Sequence, residues 1–342
     1  MFREAASAAD LVRQQLSDND RLLGQLAARI RASAPRLIIT CARGSSDHAA
    51  TFAKYLFETR LGIPTLSQAP SMSSIYGRPL LHMEGQPFII VSQSGKSPDL
   101  LASAEAARQA GALVIAFVND TASPLADMAE VVVPLGVGVE KSVAATKSYI
   151  AALSAFAQLA GHMQPDPLLD AAIADLPAHL AEAWQQDWSA AVDGLAQVRN
   201  CYVLGRGLTL GVALEAALKF KETCGIHGEA FSIAEVAHGP MALARPDFPV
   251  LVFPPFDAAV AGLDTVAAAF AERGAPIMLA GPGSALPGHL PVKVLPVNGV
   301  LHPVTAPIVM IQSFYRMANA LALRRGLDPD NPPLLRKVTE TQ

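Results

Sequence analysis

Charge is scarce in this chain. Asp, Glu, Lys and Arg supply 16% of its 342 residues, and 26 basic against 30 acidic side chains leave a net charge of −4. That balance excludes the basic face on which nucleic-acid binding depends, and an anionic ligand must be held by local devices rather than by a general field. Cysteine is scarcer still. Cys41, Cys201 and Cys224 are far apart and never form a CxxC pair, which argues against a disulfide framework and a zinc site and fits a reduced, intracellular setting. Long apolar runs are missing too. The hydrophobic fraction is 51%, yet no run reaches the ~18 residues of a membrane span. The first twenty residues are polar and helical in pattern, without the apolar stretch of a signal peptide. The expected location is cytoplasmic, with neither membrane nor nucleic acid as a partner.

What remains is a chain about twice the usual domain length, with enough apolar residues for large cores. Residues 1–34 read as one or two helices, with Leu11, Leu22, Leu23, Leu26 and Ile30 at helical spacing. Strands are expected at 36–40, 88–91, 113–117 and 131–134, separated by helices through Glu58, from Pro98 to about Ala110, and from Thr146 to Ala160. After a helical connector the pattern restarts at Cys201–Leu204. An offset of 163 residues lays Arg43-Gly44 on Arg206-Gly207, which points to duplication. Further strands are expected at 249–253, 276–280 and 292–297, and a closing helix from Thr305 to Leu323. Strands alternating with helices of this length define an α/β fold. The expectation is two tandem doubly wound parallel-sheet domains with flanking helices, at 35–165 and 200–325. A helical segment (1–34), a connector (166–199) and a tail (326–342) complete the chain.

The segment Ser92-Gln93-Ser94-Gly95-Lys96-Ser97 falls between an apolar strand and a helix. In an open α/β sheet that is where ligands bind, and free backbone N–H groups with the helix dipole favour a phosphate there. Gly44-Ser45-Ser46, on the neighbouring strand-to-helix turn, offers a second wall; Ser and Gly are also ordinary cap and turn residues. Gly95-Lys96-Ser97 mimics the end of a Walker A loop, but Ile90 stands where its first glycine is required. Gly205, Gly207 and Gly211 are spaced GxGxxxG, not the GxGxxG of a dinucleotide turn. The acidic residue such a site needs at a strand end is replaced by an expected helix and loop around Cys224–Glu229. The second half's counterpart of the serine segment is Phe253-Pro254-Pro255-Phe256, without hydroxyls. Phosphate therefore belongs to the first half.

Glu215, Lys219 and Glu222 lie at i, i+4 and i+7 on one helix face. Such a trio is ordinarily a solvated ion-pair ladder. His227, Glu229 and His238 follow without metal-binding spacing, and Lys337 lies in a Pro-rich tail of the kind that frays. Four blocks together change this reading: Gly44–Ser46, Ser92–Ser97, Glu140–Lys147 (EKSVAATK) and Ala213–Pro240 (ALEAALKFKETCGIHGEAFSIAEVAHGP). In this order they resemble the sugar isomerase (SIS) family, in particular the isomerase half of glucosamine-6-phosphate synthase and the SIS-type glucosamine-6-phosphate deaminases. The tail at 330–339 resembles that family's ending.

The resemblance implies a metal-free, cofactor-free enzyme acting on a hexosamine 6-phosphate. Ser45, Ser46, Ser92, Gln93, Ser94 and Ser97 would hold the sugar phosphate, with Val143 and Ala144 lining the sugar. Glu222 would move the proton between C1 and C2, with Lys219 beside it. His238, supplied by the partner in a homodimer, would open the ring, and Lys337 would engage the open-chain carbonyl. The chain begins Met1-Phe2, without the Cys nucleophile of the synthase's glutaminase domain, so the expected direction is release: glucosamine 6-phosphate to fructose 6-phosphate and ammonia. An isomerase or deglycase for another phosphosugar shares the same motifs. A non-catalytic sugar-phosphate sensor would be expected to carry a DNA-binding segment, for which residues 1–34 are short and neutral. Arg43, Lys96 and Ala145 depart from the synthase pattern.

Overall fold

The computed structural model describes residues 1–297, 299, 301–335 and 337; the rest of the expected tail, 336 and 338–342, lies outside the described residues. Among the described residues ten strands form two all-parallel, five-stranded sheets. The first sheet contains β1 (Ile38–Cys41), β2 (Thr65–Ser67), β3 (Pro87–Ser92), β4 (Leu113–Val118) and β5 (Val131–Pro134), in the order β2-β1-β3-β4-β5. The second contains β6 (Asn200–Gly205), β7 (His227–Ser232), β8 (Val250–Val252), β9 (Ile277–Ala280) and β10 (Val292–Leu295), in the order β10-β9-β8-β6-β7. Read from the other edge, the second order is the first repeated. The offset of 163 residues lays β1 on 201–204, β2 on 228–230, β3 on 250–255 and β4 on 276–281, each within or overlapping its counterpart. The α/β fold of two tandem doubly wound sheets is as the sequence predicts.

The chain divides into two compact units. The first holds residues 10–140 and 147–174 and, from the tail, Lys337; the second holds 1–9, 141–146 and 175–335. In the first unit every residue of β3 and β4 is buried, as parallel strands covered on both faces require. Ile39, Phe88, Ile90, Val114 and Ala116 pack there with Leu100 and Ala104 of the helix Pro98–Gln109. In the second unit Tyr202, Leu204, Val250, Val252, Ile277 and Leu279 pack with Leu263 and Phe270 of the helix Leu263–Glu272. The amino terminus belongs to this unit. Phe2 lies edge-on to Trp184 with centroids 4.8 Å apart, and Gln312 Nε2 donates to the Ala5 carbonyl at 2.9 Å.

Two strands lie outside the sequence expectation. β2 is a three-residue edge strand, too short to show a period. β7 crosses the segment expected to be helix and loop, and it pairs with β6 from Asn200↔His227 to Gly205↔Ser232. All its residues but Gly228 are exposed or half-buried, and no continuous apolar run marks it, which conceals it. Gly228 makes the pairing possible. A Cβ there would stand 3.2 Å from the Ala217 backbone and from Phe220 Cβ on the preceding helix. Glu229 lies in mid-strand rather than at the carboxyl end, so the dinucleotide site still lacks its acid.

Candidate active site

In the first unit the chain leaves β1 toward β2 and returns as β3 on the other side of β1. That reversal is a topological switch point, which opens a crevice at the carboxyl ends of the two strands. Both serine-bearing turns sit at it. Ser45 and Ser46 begin the helix Ser45–Leu61, which follows Gly44. Ser92 ends β3 buried, and its Oγ accepts the Gly95 N–H at 3.0 Å. Ser94 Oγ accepts the Lys96 N–H at 3.3 Å, and the Gln93 carbonyl accepts the Asp120 N–H at 3.3 Å. Ser97 is the extended residue before the helix Pro98–Gln109, and its hydroxyl makes no cap hydrogen bond. Gly95 is obligatory. Its φ is +64°, and a Cβ would lie 2.1 Å from Ser123 Oγ.

Two of the three residues that depart from the synthase pattern, Arg43 and Lys96, are engaged in ion pairs here. Arg43 Nε donates to Asp99 Oδ2 at 2.8 Å, tying the turn after β1 to the helix after β3, and the Asp99 side chain is fully buried. Lys96 pairs with Asp120 at 3.0 Å. Asp47, in the first turn of the helix Ser45–Leu61, has its carboxyl pKa raised by burial, with His48 and Arg43 opposing the shift.

The second unit presents the acid–base trio on the helix Leu210–Cys224. Its surroundings are not those of a solvated ladder. Glu215 and Lys219 side chains are 0% exposed, and Glu222 keeps 19%. Lys219 Nζ stands 3.4 Å from Glu215 Oε1 and donates a short hydrogen bond to Glu222 Oε2. Tyr315, on the helix Ala306–Arg324, donates its hydroxyl to Glu215 Oε1 at 3.1 Å. Burial by itself would lower the Lys219 pKa. The charges of Glu215 and Glu222 outweigh it and hold the pKa above the usual lysine value. The result is a fixed ammonium behind one carboxylate that solvent reaches.

The remaining candidates are dispersed. His238 is exposed at the end of a short 3₁₀ turn and makes no side-chain hydrogen bond among the described residues. In the second unit the Val143 N–H donates to the Asp330 carbonyl at 3.3 Å, and Ala144 is buried. In the first unit Lys337 Nζ donates to Glu140 Oε2 at 3.3 Å. That carboxylate is fully buried and also accepts Ser148 Oγ at 2.7 Å. Lys337 is thus engaged, not loose. Asp99, Glu140 and Tyr315 escape a search by residue pattern. Glu140 lies within a motif block, whereas Tyr315 carries no sequence signal because its partner is 100 positions away. The cysteines offer no nucleophile: all three are buried, and burial pushes Cys41 and Cys201 up to about 12 and Cys224 to about 11. Among the described residues no group of three or more His, Cys, Asp or Glu could hold a metal ion, and no helix is long and apolar enough to cross a membrane.

Two parallel sheets of repeated order, with a serine-bearing turn at the first switch point, define a class, and the comparison with known families agrees. The SIS domain family matches residues 32–161 and 194–280, and the chain belongs to it. Among its relatives is a glutamine–fructose-6-phosphate aminotransferase (isomerizing) of Methanothermobacter thermautotrophicus, 31% identical over 361 residues, covering 100% of this chain and 57% of that one. The enzyme of the same name from Legionella pneumophila (strain Paris) is 31% identical over 352 residues, covering 98% and 57%. The chain thus spans just over half the length of these curated relatives. A solved structure of a candidate phosphosugar isomerase from Silicibacter pomeroyi DSS-3 superposes with TM-score 0.90 at 39% identity, covering 96% of this chain and 99% of that one. Glucosamine-6-phosphate deaminase from Thermotoga maritima shares the fold, with TM-score 0.79 at 20% identity over 99% of both chains.

Proposed function

We propose that this protein is a phosphosugar enzyme that deaminates and isomerises a hexosamine 6-phosphate, converting glucosamine 6-phosphate and water to fructose 6-phosphate and ammonia. The observation that carries this reading is the buried trio on the helix Leu210–Cys224, in which Lys219 is locked between two carboxylates and only Glu222 reaches solvent. A solvated ladder stabilises a helix by a few tenths of a kcal/mol per pair. Burying two of the three charges fully instead carries a desolvation cost that stability alone does not explain, whereas a proton-transfer site has a use for it.

In this reading the serine turns bind the phosphate, with Ser45, Ser46, Ser92, Gln93, Ser94 and Ser97 as donors and Val143 and Ala144 lining the sugar. His238, delivered by the second subunit of a homodimer, opens the ring. Glu222 removes the C2 proton of the open aldosamine and returns it to C1, leaving an imine at C2. Water hydrolyses that imine to the ketone and ammonia. Lys219 holds the Glu222 carboxyl in place through its hydrogen bond, and Lys337 engages the carbonyl. Support comes from the family membership, from relatives whose names describe amino transfer on fructose 6-phosphate, and from hydroxyl-bearing turns at the first switch point. A carboxylate suits the task because one small base can serve two adjacent carbons.

Glu222→Gln is expected to lower turnover by roughly 100- to 10,000-fold, the usual contribution of a general base, while substrate affinity changes little. Ammonia release from a panel of amino-sugar phosphates, followed in wild type and variant, tests both parts. Release from none of them removes the deaminase reading; equal rates in the variant remove Glu222 from its role.

A further inference from the structure

At the amino end of the second unit's sheet, opposite the ends of the strands where α/β ligand crevices form, lies a pocket of about 510 Å³. Arg199, Arg324 and Arg325 line it together with Gln197, and among the described residues no acidic one does. Arg199 immediately precedes β6, and Arg324 ends the helix Ala306–Arg324. Neither makes an ion pair or side-chain hydrogen bond among the described residues, and both are exposed. Arg325 is held rigidly. Its Nε donates to the Cys224 carbonyl at 2.6 Å, and its Nη1 reaches the carbonyls of Leu195, Ala196 and Val198 at 3.3, 2.8 and 3.0 Å. Nη2 takes no part in these bonds.

The ordinary explanation is that arginines gather where helices end. The helices Ser189–Leu195, Leu210–Cys224 and Ala306–Arg324 all finish here. Each end carries about −0.5 of a charge, so three ends account for no more than about −1.5. The clasp made by Arg325 already answers two of them. Arg199 and Arg324 then outweigh the one end that remains, two guanidiniums facing one concavity on a chain of net charge −4.

We infer that this pocket binds a small phosphorylated anion. Guanidiniums present planar forks that match phosphate oxygens two at a time. The fixed one has already lost its side-chain freedom, so its part of the ordering cost is met on folding. A volume of about 510 Å³ admits a group larger than a single phosphate. The site is independent of the serine turns and of Glu222. It abuts the last residue of the helix that carries Lys219, since Arg325 grips the Cys224 carbonyl.

The test is calorimetric titration of the full chain with inorganic pyrophosphate, in wild type, in Arg199→Gln/Arg324→Gln and in Ser94→Ala/Ser97→Ala. Both arginines are exposed, and thermal melting checks that the variant remains folded. Charge-assisted hydrogen bonds contribute enough that losing two guanidiniums should weaken one class of pyrophosphate site by about tenfold or more. That class should persist in the serine variant and should weaken as salt rises. The inference is overturned if the arginine variant binds pyrophosphate with wild-type affinity and stoichiometry. It is equally overturned if the serine variant abolishes all binding.

Discussion

The two sheets of this protein are one topology used twice, and their differences lie where the chain leaves the strands. After β3 the first unit has Ser92–Ser97, hydroxyl-rich, with Gly95 in the left-handed region; after β8 the second has Phe253-Pro254-Pro255-Phe256. The helices that follow β1 and β6 differ in the same spirit. Each carries a lysine–glutamate pair at i, i+4. Lys54–Glu58 on the helix Ser45–Leu61 is 39% and 35% exposed, whereas Glu215–Lys219 on the helix Leu210–Cys224 is 0% exposed. An identical spacing thus yields a surface pair in one repeat and a buried charge cluster in the other. Backbone topology is shared, and chemistry is set by the side chains placed on it.

The largest effect should come from Lys219→Met, which leaves two carboxylates without their buried cation at a cost of about 3–5 kcal/mol. Lys54→Met, its surface equivalent, should cost about 1 kcal/mol or less. Urea denaturation of both variants checks the contrast, and similar losses would break it. Gly95→Ala comes next. A left-handed alanine costs about 1–2 kcal/mol and the collision with Ser123 adds about 1–3 kcal/mol. Gly207→Ala, at φ +60° but with only Ala259 Cβ at 3.4 Å, should show the first term alone. Arg43→Gln removes the guanidinium from the buried Asp99, whose carboxylate keeps the Leu100 N–H at 2.8 Å, and should cost about 1–3 kcal/mol. Arg206→Gln, at the repeat-equivalent position, gives up a single bond to the Ala261 carbonyl and should cost about 0.5–1.5 kcal/mol at most.

The smallest effect is in pH dependence. Because the Lys219 pKa is raised on folding, its stabilisation is fully present below the unfolded lysine value of about 10.4 and is lost only as pH rises through the higher folded value. Melting temperatures of wild type between pH 7 and 9 should carry no Lys219 contribution to their slope. An alkaline fall above that range should be blunted in Lys219→Met.

Much of this architecture is legible without coordinates. The apolar runs at 88–91 and 113–117 are wholly buried strands, and the helix expected from Pro98 to about Ala110 spans Pro98–Gln109. Strands buried on both faces read as continuous apolar runs, which makes them easy to see. β2 and β7 are hidden for the opposite reason. They are edge strands, and their place depends on a neighbour to pair with rather than on their own composition. The serine turn is legible as a phosphate-binding candidate from its place after a strand. The ties of Arg43 to Asp99 and of Lys96 to Asp120 are not, because side-chain pairing across turns has no fixed spacing.

Sequence alone determined the parallel α/β class, the repeat at an offset of 163, the hydroxyl asymmetry between the halves and the one-face alignment of Glu215, Lys219 and Glu222, since all four follow from local composition and period. Only tertiary structure decided that this face is buried, that Tyr315 completes it and that three arginines share one pocket. Burial belongs to what packs against a helix, and a partner a hundred residues distant leaves no trace in the periodicity of the helix itself.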